Sequence, residues 1–261
     1  MSEATLLADV VDIARRTGDV ALSYFGAGVA VELKDDGSPV TQADRHAESV
    51  ARKLIASRYP DDGIVGEEFG ASAGGNDRRW FLDPIDGTKS FVRGVPLWGT
   101  MVGVAIGGDV VAGAVYCPAL RLLVAAAEGH GCTQNGRPCQ VSAVDRIKDS
   151  VILATDQRFE SNPARASVWQ DLAGSVRLAR TWGDCYGYLL IATGQAELMV
   201  DDRLSTWDAA PLLPIIREAG GVFTDWRGTT RIDMTDAAAT NLALAAEFRA
   251  RLGIPISPGK P

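Results

Sequence analysis

Carboxylates are the residues best suited to chemistry in this 261-residue chain. In Asp83-Pro84-Ile85-Asp86-Gly87-Thr88 two of them stand three residues apart, where the apolar run Trp80-Phe81-Leu82 ends. Pro84 fixes φ between them, and Gly87 permits a tight turn or the close approach of a ligand. A strand end followed by Gly-Thr can aim backbone N–H groups and a hydroxyl at an anion. Two hard oxygen ligands beside such a cradle suit Mg²⁺, which takes carboxylates, waters and phosphate oxygens. Taken alone, the hexapeptide also reads as a turn whose aspartates bond to their own backbone. Glu67-Glu68 weighs against that reading, because adjacent carboxylates after the strand-like Ile64-Val65 call for a cation or solvent. Trp207-Asp208 adds an acid at a helix start, where Asp208 by itself reads as an N-cap. Together Glu67, Asp83, Asp86 and Asp208 suffice for a two-metal site. Such a site neutralises phosphate charge, lowers the pKa of bound water and stabilises a leaving oxygen. Phosphate monoesters need that help, since enzymes accelerate their hydrolysis by up to ~10²¹.

These side chains need elements to hold them. Leu6, Leu7, Val10, Val11, Ala14, Ala21, Tyr24 and Phe25 recur at helical spacing and predict a helix over 3–25. A second helix starts near Thr41, an N-cap with Asp44 three residues on, and runs through Val50, Leu54 and Ile55. Tyr59-Pro60-Asp61-Asp62-Gly63 stops it, and residues 71–77 read as a surface loop. Residues 98–106, 109–117 and 121–127 are strand-like and closely spaced, which predicts antiparallel hairpins. Further on, strands are expected at 151–155 and 197–201 and helices at 163–173 and 185–193. A last helix runs from about Asp208 to Ala219, with Pro211 and Pro214 in its first turn and Gly220-Gly221 closing it. The pattern divides into an N-terminal α+β half, 1–145, carrying the acidic loop, and a C-terminal α/β half, 146–261, completing the site. No flexible linker separates them, so one compact unit is expected.

Composition narrows the function. The net charge is −7 with no dense Lys/Arg cluster, which disfavours a nucleic-acid partner. Two histidines, His46 and His130, exclude His-rich metal sites, and both read as surface residues. No apolar run approaches a bilayer-spanning length and the first dozen residues are acidic, so neither a membrane nor a secretory signal is expected. Four cysteines without a CxxC pair read as reduced thiols of a cytoplasmic protein, with a Cys132–Cys139 bridge as the one alternative. Gly70-Ala71-Ser72-Ala73-Gly74 matches the GxSxG elbow of serine hydrolases, but lacks the hydrophobic strand before and the helix after. The chain has no Asp-x-Asp for an aspartyl-phosphate mechanism, and no Walker A motif for nucleotide. A non-catalytic metal binder is disfavoured because every acid of the set is present together with Thr88.

Glu67-Glu68, Asp83-Pro84-Ile85-Asp86-Gly87-Thr88 and Trp207-Asp208-Ala209-Ala210 resemble, in order and spacing, the signature motifs of the inositol monophosphatase-like family. The resemblance extends from Pro39-Val40-Thr41-Gln42-Ala43-Asp44 to Glu218-Ala219-Gly220-Gly221. It implies an α+β fold layered α-β-α-β-α with mixed and antiparallel sheets, and two or three Mg²⁺ ions. Glu67, Asp83 and the Ile85 carbonyl would bind one ion, and Asp83, Asp86 and Asp208 a second. Thr88 with Glu67 would orient the attacking water, the Gly87 and Thr88 amides would hold phosphate, and Asp44 would orient site waters. The partner would be a small phosphorylated substrate, and the antiparallel strands offer a face for a homodimer.

Within the family, Thr88-Lys89-Ser90-Phe91-Val92-Arg93-Gly94 and Gly183-Asp184-Cys185-Tyr186-Gly187-Tyr188 look like the histidinol-phosphate phosphatase branch rather than inositol phosphatases. Histidinol phosphate carries an ammonium and an imidazole, which Asp184 and Asp201 could neutralise, whereas inositol is an uncharged polyol. Asp184 also reads as an N-cap of the 185–193 helix, and Arg180 as either a ligand contact or a solvated arginine.

Overall fold

The computed structural model describes residues 3–35 and 37–255. Helix α1 (Glu3–Leu22) leads to a small antiparallel hairpin of β1 (Val31–Leu33) and β2 (Pro39–Thr41), followed by α2 (Gln42–Arg58). The α2 start is as expected: Thr41 caps it, its amide donating to Asp44 Oδ2 at 2.8 Å while Ala43 N–H donates to Thr41 Oγ1. An eight-stranded sheet follows, built from β3 (Gly63–Gly66), β4 (Gly70–Ser72), β5 (Arg78–Asp86), β6 (Gly99–Ile106), β7 (Asp109–Cys117), β8 (Leu122–Ala127), β9 (Cys132–Gln134) and β10 (Arg137–Cys139), with the short helix α3 (Thr88–Val92) after β5. Its order is β10-β9-β8-β7-β6-β5-β3-β4, antiparallel except where β3 meets β5. The rest comprises β11 (Val151–Ala154), α4 (Ala164–Ala173), β12 (Leu178–Arg180), α5 (Asp184–Ala192), β13 (Leu198–Asp201), α6 (Thr206–Glu218), β14 (Val222–Thr224), β15 (Ala237–Thr240) and α7 (Ala245–Leu252). Its five strands form a mixed sheet in the order β12-β11-β13-β15-β14.

Three packed seams give the α-β-α-β-α layering. Leu6, Val10 and Ile13 of α1 and Ile55 of α2 bury against Trp80, Val102 and Val104 on one face of the large sheet. Tyr188 and Leu189 of α5 and Leu212 and Ile215 of α6 fill the space between the two sheets, against Met101 and Val115 on one side and Met199 and Ala239 on the other. Trp169 of α4 and Phe248 of α7 cover the outer face of the small sheet over Ile152 and Val200. No helix among the described residues is long and apolar enough to cross a membrane.

Three expectations need correction. Part of the 71–77 loop is strand: β4 pairs with β3 at the sheet edge, its residues exposed. The strand at Trp80 continues to Asp86 with a register break between Asp83 and Asp86, because Pro84 offers no N–H to the β6 ladder. Thr100 Oγ1 donates to the Pro84 carbonyl at 2.7 Å and secures the bulge. Helix α6 starts before Asp208, so Pro211 and Pro214 lie in its interior. There Pro211 rests in a notch made by Gly103 and Gly113, which face each other across β6 and β7. A Cβ on Gly113 would stand 2.3 Å from the Pro211 carbonyl oxygen, and one on Gly103 2.9 Å from Pro211 N. The close approach of α6 to the sheet supplies the packing that a proline inside a helix otherwise lacks.

Candidate active site

The acids converge where β5, α6 and α5 meet. Carboxylate oxygens of Asp83, Asp86 and Asp208 lie within 4.8 Å of one another. The β5 bulge turns Asp83 and Asp86 to the same side, and Ile85 N–H donates back to Asp83 Oδ1 at 2.9 Å. The Cys185 amide, in the first turn of α5, donates to Asp86 Oδ2. Asp208 is not an N-cap. Ser205 caps α6, and its amide donates to Asp208 Oδ2 at 2.9 Å, while Asp208 Oδ1 is buried with no hydrogen-bond partner among the described residues.

Glu67 joins from the β3 side, its amide donating to the Leu82 carbonyl at 3.1 Å. The loop that carries it is shaped by Glu48, whose carboxylate accepts from Glu68 N–H at 2.7 Å and from Arg52 at 2.7 Å. A Cβ on Gly66 would lie 2.1 Å from Glu48 Oε1, so that contact requires glycine. Lys34, just after β1, bonds Glu67 Oε1 at 2.8 Å and Glu68 Oε1 at 2.7 Å. Burial opposes the ammonium's charge, but the two carboxylates hold its pKa above the usual lysine value. Thr88 Oγ1 is 3.0 Å from the Ile85 carbonyl and 3.5 Å from Asp44 Oδ1. Gly87 has φ +86°, and a Cβ there would meet the Leu97 carbonyl at 3.0 Å and Asp184 Oδ2 at 3.1 Å.

Beyond the cluster opens a cleft of about 220 Å³ lined by Lys89, Thr155, Asp156, Glu160, Asp184, Asp201 and Asp202 among others. Asp201 accepts from Tyr188 Oη at 2.8 Å and Thr155 N–H at 3.1 Å. Arg158 pairs with Asp156 and Glu160, and Asp202 accepts from Ser161. The Asp184 carboxylate, half-buried, has no hydrogen-bond partner among the described residues. Its N–H donates to Thr155 Oγ1 at 2.8 Å, its φ is +51°, and the N-cap of α5 is Gly183 rather than Asp184. Arg180 stands apart: it is exposed, its guanidinium bonded to the neighbouring Ala179 carbonyl. Both histidines are exposed, His46 with Nδ1 2.9 Å from Tyr24 Oη. Lys34, Glu48, Asp156, Glu160 and Asp202 lie outside the sequence motifs that mark the other site acids. Periodicity has no means of pairing Lys34 with Glu67 or Glu48 with Glu68, but the acidic run Asp201-Asp202 was a legible signal.

So many buried acids cannot all ionise unaided. Burial, then the charges of Glu67, Asp86 and Asp208, push Asp83 well above the ordinary carboxyl range. Burial and the Asp208 charge push Asp86 up to about 8, and burial foremost pushes Asp208 to about 7. An orphaned, buried Asp208 oxygen among hard oxygen ligands fits a divalent cation of the Mg²⁺ class. Without metal, these raised carboxyls contribute stability that is fully present below about pH 4 and lost as pH rises through 7 to 8. The metal-stripped protein is expected to melt at a lower temperature near pH 8.5 than near pH 6, and added Mg²⁺ to raise the midpoint more at the higher pH, roughly as that linkage requires. Equal stabilisation by Mg²⁺ at both pH values would remove these acids as its ligands.

Residues 3–252 match the inositol monophosphatase family. A histidinol-phosphatase of Chlorobaculum parvum is 41% identical over 93% of this chain and 95% of its own length. A histidinol-phosphatase of Mycobacterium tuberculosis is 35% identical over 92% and 95%. The crystal structure of an extragenic suppressor protein from Bartonella henselae superimposes with a TM-score of 0.89 at 28% identity, covering 95% of this chain and 98% of that one. With the motifs, the layered fold and the acid cluster in agreement, the chain belongs to the inositol monophosphatase family.

Proposed function

We propose that the chain is a Mg²⁺-dependent phosphomonoesterase that hydrolyses L-histidinol phosphate to L-histidinol and phosphate. The observation that carries the substrate reading is the Asp184 carboxylate, which borders the acid cluster in an acidic cleft and is bound by no other side chain among the described residues. Burial, then the Asp86 charge, push it up to about 7, and the nearby Lys89 charge offsets only part of that rise, so a substrate ammonium would supply a counter-charge that the carboxylate does not find in a direct ion pair. The names of the two relatives above agree with that chemistry.

In this reading Glu67, Asp83, the Ile85 carbonyl, Asp86 and Asp208 hold the ions. When bound, Mg²⁺ neutralises the phosphate and lowers the pKa of water. The chain's own groups do the orienting. Thr88 and Glu67 set the line of attack of a water on phosphorus, and Asp44, whose own pKa is raised by burial and whose Oδ1 is 3.5 Å from Thr88 Oγ1, orients site waters. The Gly87 and Thr88 amides, at the turn where Gly87 has φ +86°, would hold the phosphate oxygens. Asp184 and Asp201 take the cationic end of the substrate, while Arg180 has no part.

Phosphate release should be compared for histidinol phosphate, inositol 1-phosphate and fructose 1,6-bisphosphate in Mg²⁺. A preference for inositol 1-phosphate of about tenfold or more would defeat the histidinol reading and leave phosphomonoester hydrolysis standing. Asp184→Asn is expected to raise KM for histidinol phosphate by about 10- to 100-fold, the worth of one charged hydrogen bond, with little change for inositol 1-phosphate. An equal rise for both substrates would make Asp184 a structural residue only.

A further inference from the structure

We propose that Cys132 and Cys139 form a modification site, a dithiol that closes into an intramolecular disulfide by exchange with small-molecule disulfides such as oxidised glutathione. The two residues are direct partners in the β9–β10 hairpin, and their Sγ atoms lie 3.5 Å apart. The turn fixes that register: Asn135 at φ +49° and Gly136 at φ +77° make the two-residue, doubly left-handed loop that suits strand twist. Opposed residues of an antiparallel pair have Cα atoms about 4.5 to 5.5 Å apart, within the span of a disulfide. β10 is the edge strand, which leaves Cys139 half-exposed while Cys132 is buried. The sulfur–sulfur contact also lowers the Cys139 pKa and, with burial, raises that of Cys132, so thiolate forms on the sulfur that solvent reaches.

The Cys139 thiolate attacks one sulfur of the small disulfide, forming a mixed disulfide and releasing one thiolate, which takes a proton. Cys132 then loses its proton to solvent and attacks Cys139 Sγ, displacing the second thiolate. The protein dithiol is oxidised and one small disulfide is reduced to two thiols. Cys117 and Cys185 are buried and stay out of reach. The bridge would pin the root of the strap that leaves β10 for the small sheet, where Val141 N–H donates to the Ala219 carbonyl at 2.9 Å and Asn241 Nδ2 to the Val144 carbonyl at 2.8 Å. No residue lining the acidic cleft belongs to the hairpin, so turnover should be unchanged.

The folded protein should be treated with oxidised glutathione, alkylated and mapped. Two of the four thiols are expected to disappear, with the tryptic peptide spanning residues 122–146 lighter by two hydrogens and free of glutathione. Cys132→Ser should instead trap glutathione on Cys139, and Cys117→Ser should close the bridge like the parent chain. Four surviving thiols, a stable adduct on Cys139 of the parent protein, or a bridge involving Cys117 or Cys185 would each overturn the proposal.

Discussion

Asp83→Asn is expected to lower phosphate release by about a thousandfold or more, a loss of about 4 kcal/mol of transition-state stabilisation. Asp83 is 3% exposed and shares its neighbourhood with Asp86, Asp208 and Glu67, so it is the one carboxylate that both proposed ion positions would use. The amide is nearly isosteric and can still accept the Ile85 N–H at Oδ1, so the bulge should survive. What is lost is an ionisable carboxyl that, without metal, burial and the neighbouring charges already hold back from ionising. The metal-free variant should therefore melt no lower than the metal-free parent near neutral pH, while its Mg²⁺-induced rise in midpoint shrinks. Activity within about tenfold of the parent at saturating Mg²⁺ would show that these acids do not hold the ions.

A second large effect is expected far from any acid. Gly113→Ala forces a methyl to within 2.3 Å of the Pro211 carbonyl oxygen and 2.7 Å of Pro211 Cα, both backbone atoms that no rotamer can move. The helix must lift from β7, at a cost of about 3 kcal/mol by the usual range for overpacking, or roughly 6 to 12 °C in melting midpoint for a domain this large. Asp208 lies one turn before Pro211 on that helix. Lifting α6 withdraws Asp208 from Asp83 and Asp86, so the variant should also need more Mg²⁺ for half-maximal activity. Thermal melts and Mg²⁺ titrations test both parts. Parent-like values in each would mean that α6 yields without strain.

The acids were legible in the sequence, and their support, the Gly103–Gly113 notch included, was not. Asp83, Asp86, Glu67 and Asp208 stand out because carboxylates after apolar runs are costly unless something takes the charge. Their scaffold depends on contacts between distant segments. The apolar run Trp80-Phe81-Leu82 marks a strand that ends before Asp83, yet a bulge carries β5 on to Asp86. The prolines of α6 belonged to a first turn only if Asp208 was the cap. Ser205 takes that place, and the packing in the Gly103–Gly113 notch makes an interior Pro211 tolerable. Short elements such as β1, β2, β12, β14 and β15 are three or four residues long and carry no periodicity of their own. Lys34 and Glu48 do their work only once α2, β1 and the Glu67 loop have been brought together.

Asp184 carries a further implication. Its backbone sits at φ +51°, a region that costs a side chain with Cβ about 1 to 2 kcal/mol relative to glycine. Its carboxylate is also desolvated, so the residue burdens the fold twice, through conformation and through hydration. Mutational drift under selection for robustness alone would therefore tend to erase it, and glycine would be the easiest replacement. With the substrate role proposed for it, its place in the chain would persist only while discrimination between substrates is worth more to the host than a sturdier protein.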